Sequence, residues 1–118
     1  MYEYIAWGLA DKRDPRGVVD GDTMHVGVDL GMEVAVNTTL RIYGINAPEL
    51  STQAGKDAKA WAIDWFVTHC PNGQFIVNTL KDKTEKYGRY LATITAPDGH
   101  VYNDDIVYYG HAVPYFPK

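Results

Sequence analysis

The chain has 118 residues, a net charge of −4 and an ordinary content of hydrophobic and charged residues. This length and composition predict one domain, residues 1–118, with one hydrophobic core. The negative net charge argues against a protein that binds nucleic acid through its overall charge, so any contact with phosphate must be local. No window approaches about 18 consecutive apolar residues, which argues against a membrane span.

The first residues, MYEYIAWGLADKRD, include Glu3 and lack a basic region ahead of an apolar stretch, so no signal peptide is expected. Cys70 is the single cysteine and has no partner for an internal disulfide. Together these features predict a cytoplasmic protein. The histidines are scattered over positions 25, 69, 100 and 111, and neither a histidine-based triad nor a histidine metal site is expected.

The N-terminal half has the pattern of β-strands. The segment YEYIAWGLA is aromatic and β-rich, and a further β segment is expected over residues 16–19. Apolar residues alternate over 23–30, where Met24, Val26, Val28 and Leu30 share one face. The alternation resumes over 34–42 after a turn at Gly31 and Met32, which predicts a long β-hairpin.

The C-terminal half mixes helices and strands. A helix is expected from about Gln53, capped by Ser51 or Thr52, with Trp61, Trp65 and Cys70 on its packing face. Two strands follow over 75–80 and 90–96, the second ended by a Pro-Asp-Gly turn. A short helix is expected over 103–109, capped by Asn103 and ended at Gly110.

This order predicts a β-rich α+β fold. A five-stranded barrel of the oligonucleotide-binding (OB) type hides its sheet edges, and a helix after the third strand closes one end.

Residues 18–23, VVDGDT, can place two carboxylates close together. Gly21 permits a tight turn between Asp20 and Asp22. Two such carboxylates repel unless a cation or basic group lies between them, and oxygen-rich turns suit Ca²⁺ or Mg²⁺. An ordinary hairpin turn is the alternative interpretation, because Asp-Gly is a common turn dipeptide.

Residues 41–50, RIYGINAPEL, join the end of a strand to a turn. Arg41 lies on the strand face opposite Leu40 and Ile42, and Glu49 follows a proline that fixes the loop. Alone, the pair is equally well explained as a surface arginine and a glutamate favoured by a helix dipole.

Residues 85–89, EKYGR, combine Lys86, Tyr87 and Arg89 around a flexible Gly88. This combination suits phosphate and base contacts, although a solvated cationic loop is the alternative. Of the tyrosines near the C-terminus, Tyr115 is a candidate substrate contact, and most of the others are expected to complete the core.

In this order, DGDT, R-x-x-G-x-x-A-P-E, a helix and then KYGR before a strand resemble the staphylococcal nuclease (thermonuclease) family over about residues 18–115. The resemblance implies an OB-type barrel with a calcium-dependent phosphodiesterase that cuts DNA and RNA. It implies that Asp22 binds the metal, with Asp20 beside it, and that Arg41, Glu49 and Arg89 are catalytic. Tyr87 and Tyr115 are similar to tyrosines that contact phosphate in the family.

Three features depart from the family pattern. Asn46 replaces a second aspartate that is usually a metal ligand, which predicts weaker metal binding or a shifted preference, for example to Mg²⁺. Ala47 replaces a threonine in the best-known member and serves equally well if it binds through its backbone carbonyl. The C-terminal helix of the family is not expected in residues 1–118, and an apolar face left bare by its absence would favour a homodimer.

These residues predict a metal-dependent nuclease with weak sequence preference that favours single-stranded DNA or RNA. Two alternatives remain. One is a catalytically weak or inactive nucleic-acid-binding module, which Asn46 favours, and the other is a protein-interaction domain. A module without catalysis has no need of Asp22, Arg41, Glu49 and Arg89 together.

Overall fold

A computed structural model describes residues 2–84 and 88–116 of the chain, and of residues 81–84 it describes the backbone alone. The described strands are β1 (Tyr2–Gly8), β2 (Val18–Asp20), β3 (Thr23–Gly31), β4 (Val34–Ile42), β5 (Ile45–Asn46), β6 (Gln74–Thr84), β7 (Tyr90–Thr95) and β8 (Val113–Pro114). The helices are α1 (Gln53–His69) and α2 (Tyr102–Tyr108), with a 3-10 turn at Pro15–Gly17. Neither α-helix in the described part of the chain is long and apolar enough to cross a membrane.

Five strands close into a barrel. They pair in the order β1-β6-β7-β4-β3, and β3 pairs with β1 to complete the ring. The β4–β7 pair is parallel, and the other pairs of the ring are antiparallel. The main helix α1 follows β4, the third strand of the ring. The predicted β-rich, OB-type barrel is therefore confirmed.

The core lies between the barrel interior and the two helices. Alternating strand residues such as Val26, Leu40 and Ile94 are buried against Phe66 of α1 and Tyr102 of α2. Trp65 and Cys70 are also buried, as their place on the packing face of α1 predicts. Burial, together with the nearby charge of Asp98, raises the pKa of the Cys70 thiol to about 11, so this thiol is neutral and unreactive at neutral pH.

The start of α1 is built around Thr52. Its hydroxyl accepts a hydrogen bond from the Gly55 N–H at 3.0 Å and donates one to the Glu49 carbonyl at 2.7 Å. A side chain at Gly55 would overlap that carbonyl, because a Cβ there would lie 1.9 Å from the oxygen. Of the two predicted caps, Thr52 is the one used, and it fastens the preceding loop to the helix.

The predicted cap of α2 is wrong. The helix begins at Tyr102, and the cap position is Val101, which has no capping side chain. Asn103 points into the barrel instead, where its amide donates to the carbonyls of Tyr43 (2.8 Å) and Ala92 (3.2 Å) and accepts from Ile94 N–H (3.1 Å). Buried backbone groups need partners, and this demand outweighs the capping preference of asparagine.

Two expectations about apolar faces also fail. Leu30 does not share the burial of Met24, Val26 and Val28, because β1 pairs with β3 only at residues 26–28 and the hairpin beyond them is solvated. Tyr108 and Tyr109 are 81% and 60% exposed rather than in the core.

We expect Asn103→Ala to lower the free energy of unfolding by about 1–3 kcal/mol, because the substitution strands buried backbone groups. Urea denaturation measures this loss. Asn37→Ala is the control, since Asn37 is exposed on β4, and we expect it to change stability by less than about 0.5 kcal/mol. If the two variants lose the same free energy of unfolding, the Asn103 hydrogen bonds to buried backbone groups do not have this stabilising role.

Candidate active site

A cleft of about 750 Å³ opens at one end of the barrel. It is bordered by the turn before β3, the end of β4, the loop that leads to α1, the start of β7 and the C-terminal segment. The structure brings eight of the predicted site residues to this cleft, namely Asp20, Asp22, Arg41, Asn46, Ala47, Glu49, Arg89 and Tyr115. Lys86 and Tyr87 lie outside the residues that the structure describes.

The Asp22 carboxylate is held by several neighbouring groups in the cleft, and its residue is 9% exposed. Its Oδ2 accepts a hydrogen bond from the Ala47 N–H at 2.9 Å and lies 3.5 Å from Arg41 Nη2. Its Oδ1 accepts a hydrogen bond from the Thr23 hydroxyl at 3.2 Å. These partners hold the buried carboxylate in one orientation.

Gly21 allows the turn that carries Asp22 to approach the loop at Ala47. A Cβ at Gly21 would lie 2.7 Å from the Ala47 Cβ, which is closer than real side chains pack. The Gly21 carbonyl accepts a hydrogen bond from the buried Tyr102 hydroxyl at 2.6 Å. The acidic turn is therefore clamped between the loop and α2.

Arg41 is held by oxygen acceptors at the end of β4. Its Nη1 donates to the Ile42 carbonyl at 3.0 Å, and its Nη2 donates to Asn46 Oδ1 at 3.4 Å, in addition to the contact with Asp22. These contacts orient the guanidinium. As predicted, it points away from the buried face of β4.

Arg89 enters the cleft from the segment before β7. Its Nη1 donates to the Thr23 hydroxyl at 3.2 Å. Arg41 is thus anchored on Asp22 and Arg89 on Thr23, so that two guanidinium groups are fixed by consecutive residues. Thr23 is not among the residues that the motifs predicted, although its position directly after the two aspartates was a usable signal.

Glu49 and Tyr115 form the more open part of the cleft. The Glu49 side chain is exposed to solvent, while its backbone carbonyl accepts hydrogen bonds from the N–H (3.0 Å) and hydroxyl of Thr52. Tyr115 is 48% exposed, and its N–H donates to the Gly44 carbonyl at 2.8 Å. Both side chains can therefore meet a ligand from solution.

The donors of the cleft suit a hard divalent cation. Asp20, Asp22 and Asn46 offer oxygen atoms, which Ca²⁺ and Mg²⁺ prefer. Burial, reinforced by the hydrogen bond and charge of Asp22, raises the pKa of Asp20 to about 6. Such a carboxylate pair is strained when both members are ionised, and a cation bound beside it relieves that repulsion.

Comparison with known proteins finds a family match that covers part of the cleft. A family model described as staphylococcal nuclease homologue matches residues 39–118, more than half of the chain. A search of curated proteins found no match. The matched range contains Arg41, Asn46, Glu49 and Arg89, whereas Asp20 and Asp22 precede it and reach the cleft through the barrel.

We expect Asp20→Asn to stabilise the metal-free protein at neutral pH. A carboxyl whose pKa is raised on folding, here from 3.8 to about 6, contributes stability below pH 3.8 and loses it as pH rises through about 6. The melting temperature of Asp20→Asn relative to wild type should therefore climb between those pH values and level off above them. Thermal unfolding in chelator, measured from pH 4 to pH 8, checks the profile.

Asp29→Asn is the matched control for this profile. Asp29 is exposed, and like Asp20 its Oδ1 accepts a hydrogen bond from the N–H two residues on. A difference between Asp20→Asn and wild type that does not vary with pH would contradict the electrostatic explanation.

Proposed function

The chain belongs to the staphylococcal nuclease homologue family, and from this premise we propose that it is a metal-dependent phosphodiesterase that hydrolyses nucleic acid with weak sequence preference. The observation that carries the proposal is the shared cleft, which collects a buried carboxylate, two anchored arginines and a solvent-facing glutamate. Each of these groups has a defined task in phosphodiester hydrolysis.

The cation in this proposal is Ca²⁺, held by Asp22, Asn46 and the backbone carbonyl of Ala47, with Asp20 as a neighbouring charge. When bound, it supplies a positive charge beside the phosphate oxygens. Asn46 contributes an oxygen without a negative charge, so the site holds Ca²⁺ less tightly than a site with two aspartates, and Mg²⁺ or another divalent cation becomes a competitor.

Arg41 and Arg89 stabilise the charge that develops as water attacks phosphorus. The transition state carries more negative charge than the diester, so fixed cations favour it over the ground state. The planar fork of arginine matches two phosphate oxygens. Removing one fixed donor of this kind typically costs about 2.7–4 kcal/mol of transition-state stabilisation.

Glu49 orients or deprotonates the attacking water. Its side chain is exposed at the cleft, and Pro48 and the Thr52 cap fix the backbone that carries it. A carboxylate in this position can orient the water or take its proton, and both roles need the ionised form. General base catalysis is worth roughly 10²–10⁴-fold in rate.

The substrate is recognised mainly through its backbone. With a net charge of −4, the protein attracts nucleic acid only at local positive groups, which here are the two arginines and Lys86. Tyr115 at the cleft, and Tyr87, add aromatic contacts that every base can satisfy. This combination favours single-stranded DNA or RNA with little sequence discrimination.

The second candidate function is nucleic-acid binding with weak or no catalysis. Asn46 favours it, because this residue removes one negative charge from the cation site. The two functions differ in one observable, since the module binds oligonucleotide and leaves it intact.

We expect Glu49→Gln to slow cleavage of single-stranded DNA by about 10²–10⁴-fold, since an amide cannot accept the proton of the water. The assay is gel-resolved cleavage with Ca²⁺, Mg²⁺ or chelator, and fluorescence anisotropy confirms that the oligonucleotide still binds. Glu33→Gln, in the exposed turn of the hairpin, makes the same change of charge away from the cleft.

Two outcomes would overturn parts of this proposal. If wild-type protein binds the oligonucleotide and leaves it intact with every metal, the binding module is the function. If Glu49→Gln cuts as fast as wild type while Glu33→Gln is also normal, the role given to Glu49 is wrong.

We expect Asn46→Asp to lower the Ca²⁺ concentration for half-maximal cleavage by on the order of tenfold, because the substitution restores one negative ligand. Calorimetric titration of Ca²⁺ measures the same change without substrate. Asn37→Asp adds an equal charge at an exposed position of β4 and controls for net charge. If the two variants respond alike, Asn46 does not contact the metal.

A further inference from the structure

A second cluster of metal-ligating side chains lies at the far end of α1. The expectation that the histidines are scattered fails here, because the rings of His69 and His100 stack with centroids 4.1 Å apart. One ligand atom from each of His69, Asp98 and His100 lies within 4.8 Å of the others. Since α1 has 17 residues, it separates this cluster from the Glu49 loop by about 25 Å.

The turn between β7 and α2 holds two of these side chains in a fixed relation. Asp98 Oδ1 accepts a hydrogen bond from the His100 N–H at 3.0 Å, and the Ala96 N–H donates to the His100 carbonyl at 2.8 Å. Gly99 adopts the left-handed conformation (φ +94°) that closes the turn. Asp98 therefore directs its other oxygen, Oδ2, towards His69 Nδ1, at 2.6 Å.

His100 is oriented by a second carboxylate. Asp105 Oδ2 accepts one hydrogen bond from the Trp65 indole N–H and another from His100 Nδ1, each at 2.8 Å. Because a carboxylate only accepts, the proton lies on Nδ1 and the neutral ring carries its lone pair on Nε2. In protein metal sites, a histidine that binds the metal through one ring nitrogen commonly donates its other ring N–H to a carboxylate in this way.

His69 is held from two sides. It is the last residue of α1, and its ring packs against Trp65, one turn earlier, with centroids 5.1 Å apart. The carbonyl end of a helix favours a positive charge. At a zinc–ligand distance of about 2.1 Å, ligand atoms in a tetrahedral site lie about 3.4 Å apart, which small side-chain rotations reach from the present spacing.

We propose that His69, Asp98 and His100 form a second metal site, which takes Zn²⁺ or a similar transition-metal ion and is separate from the cleft. Two imidazoles with one carboxylate suit zinc, nickel, cobalt or copper, whereas the all-oxygen cleft suits Ca²⁺ or Mg²⁺. The side chains of Asp98 and His100 are 44% and 50% exposed, so water can complete the coordination.

A metal bound here links the end of α1 to the turn that leads into α2. That helix carries Tyr102 and Asn103, which hydrogen-bond the Gly21 and Tyr43 carbonyls behind the cleft. The site therefore stabilises the fold and leaves the chemistry of the cleft to other residues.

The test titrates Zn²⁺ into chelator-treated protein by calorimetry and follows thermal unfolding. We expect one Zn²⁺ per chain and, at a concentration about a hundredfold above Kd, a rise in Tm of roughly 10 °C. Asp22→Asn, which removes the charge of the buried cleft carboxylate, should leave the Zn²⁺ stoichiometry and the rise in Tm unchanged. His100→Ala and the isosteric Asp98→Asn should each weaken Zn²⁺ binding by at least about tenfold.

His111→Ala is the control, because His111 stacks on Trp61 and is not a member of the cluster. Asp98→Asn keeps the size of the side chain and its acceptor for the turn, so a loss of Zn²⁺ binding there is not a folding defect. Absence of Zn²⁺ binding by wild type would overturn the proposal. So would binding that survives both His100→Ala and Asp98→Asn within about threefold of wild type, or binding that disappears in Asp22→Asn.

Discussion

The carboxylate of Asp22 is largely buried, and the groups that it needs as partners organise the cleft. An ionised carboxylate is costly to bury unless it is hydrogen-bonded and paired. Its partners come from Ala47, Arg41 and Thr23, which belong to the loop before α1, the end of β4 and the start of β3. Satisfying one charge therefore fixes three chain segments, and Arg89 joins them through Thr23.

The two helices brace these segments from outside the barrel. The cap at Thr52 ties the Glu49 carbonyl to the first turn of α1, and Gly55 leaves room for that contact. On the other side, α2 supplies Tyr102 to Gly21 and Asn103 to the Tyr43 carbonyl. Loops that carry functional side chains are ordinarily the mobile parts of a domain. Here the hydrogen bonds from the helices hold the backbone at both edges of the cleft while the Glu49 side chain stays exposed.

Local patterns in the sequence predict much of this arrangement. Alternation predicts the β3–β4 hairpin, and a threonine followed by amphipathic spacing predicts the start of α1, because neighbours along the chain decide both. The sequence motifs, taken together in their order along the chain, predicted eight of the residues that line the cleft. Long-range packing decides the remainder. Asn103 hydrogen-bonds buried carbonyls instead of capping α2. His69 and Asp98 are 29 positions apart, and no local pattern in the sequence indicates that their side chains meet.

If the proposed function holds, Asn46 makes binding of the cation depend on binding of the substrate. At neutral pH the cleft carries the negative charges of Asp20, Asp22 and Glu49 against the positive charges of Arg41 and Arg89. One net negative charge therefore remains to draw in a divalent cation when an acid at position 46 is absent. A bound phosphodiester brings a negative charge of its own and adds to that attraction. Cation and substrate then bind with positive coupling, each raising the affinity of the other by the same factor. In the proposed function the asparagine thereby links occupancy of the metal site to the presence of substrate, and Arg41 contacts both Asp22 and Asn46.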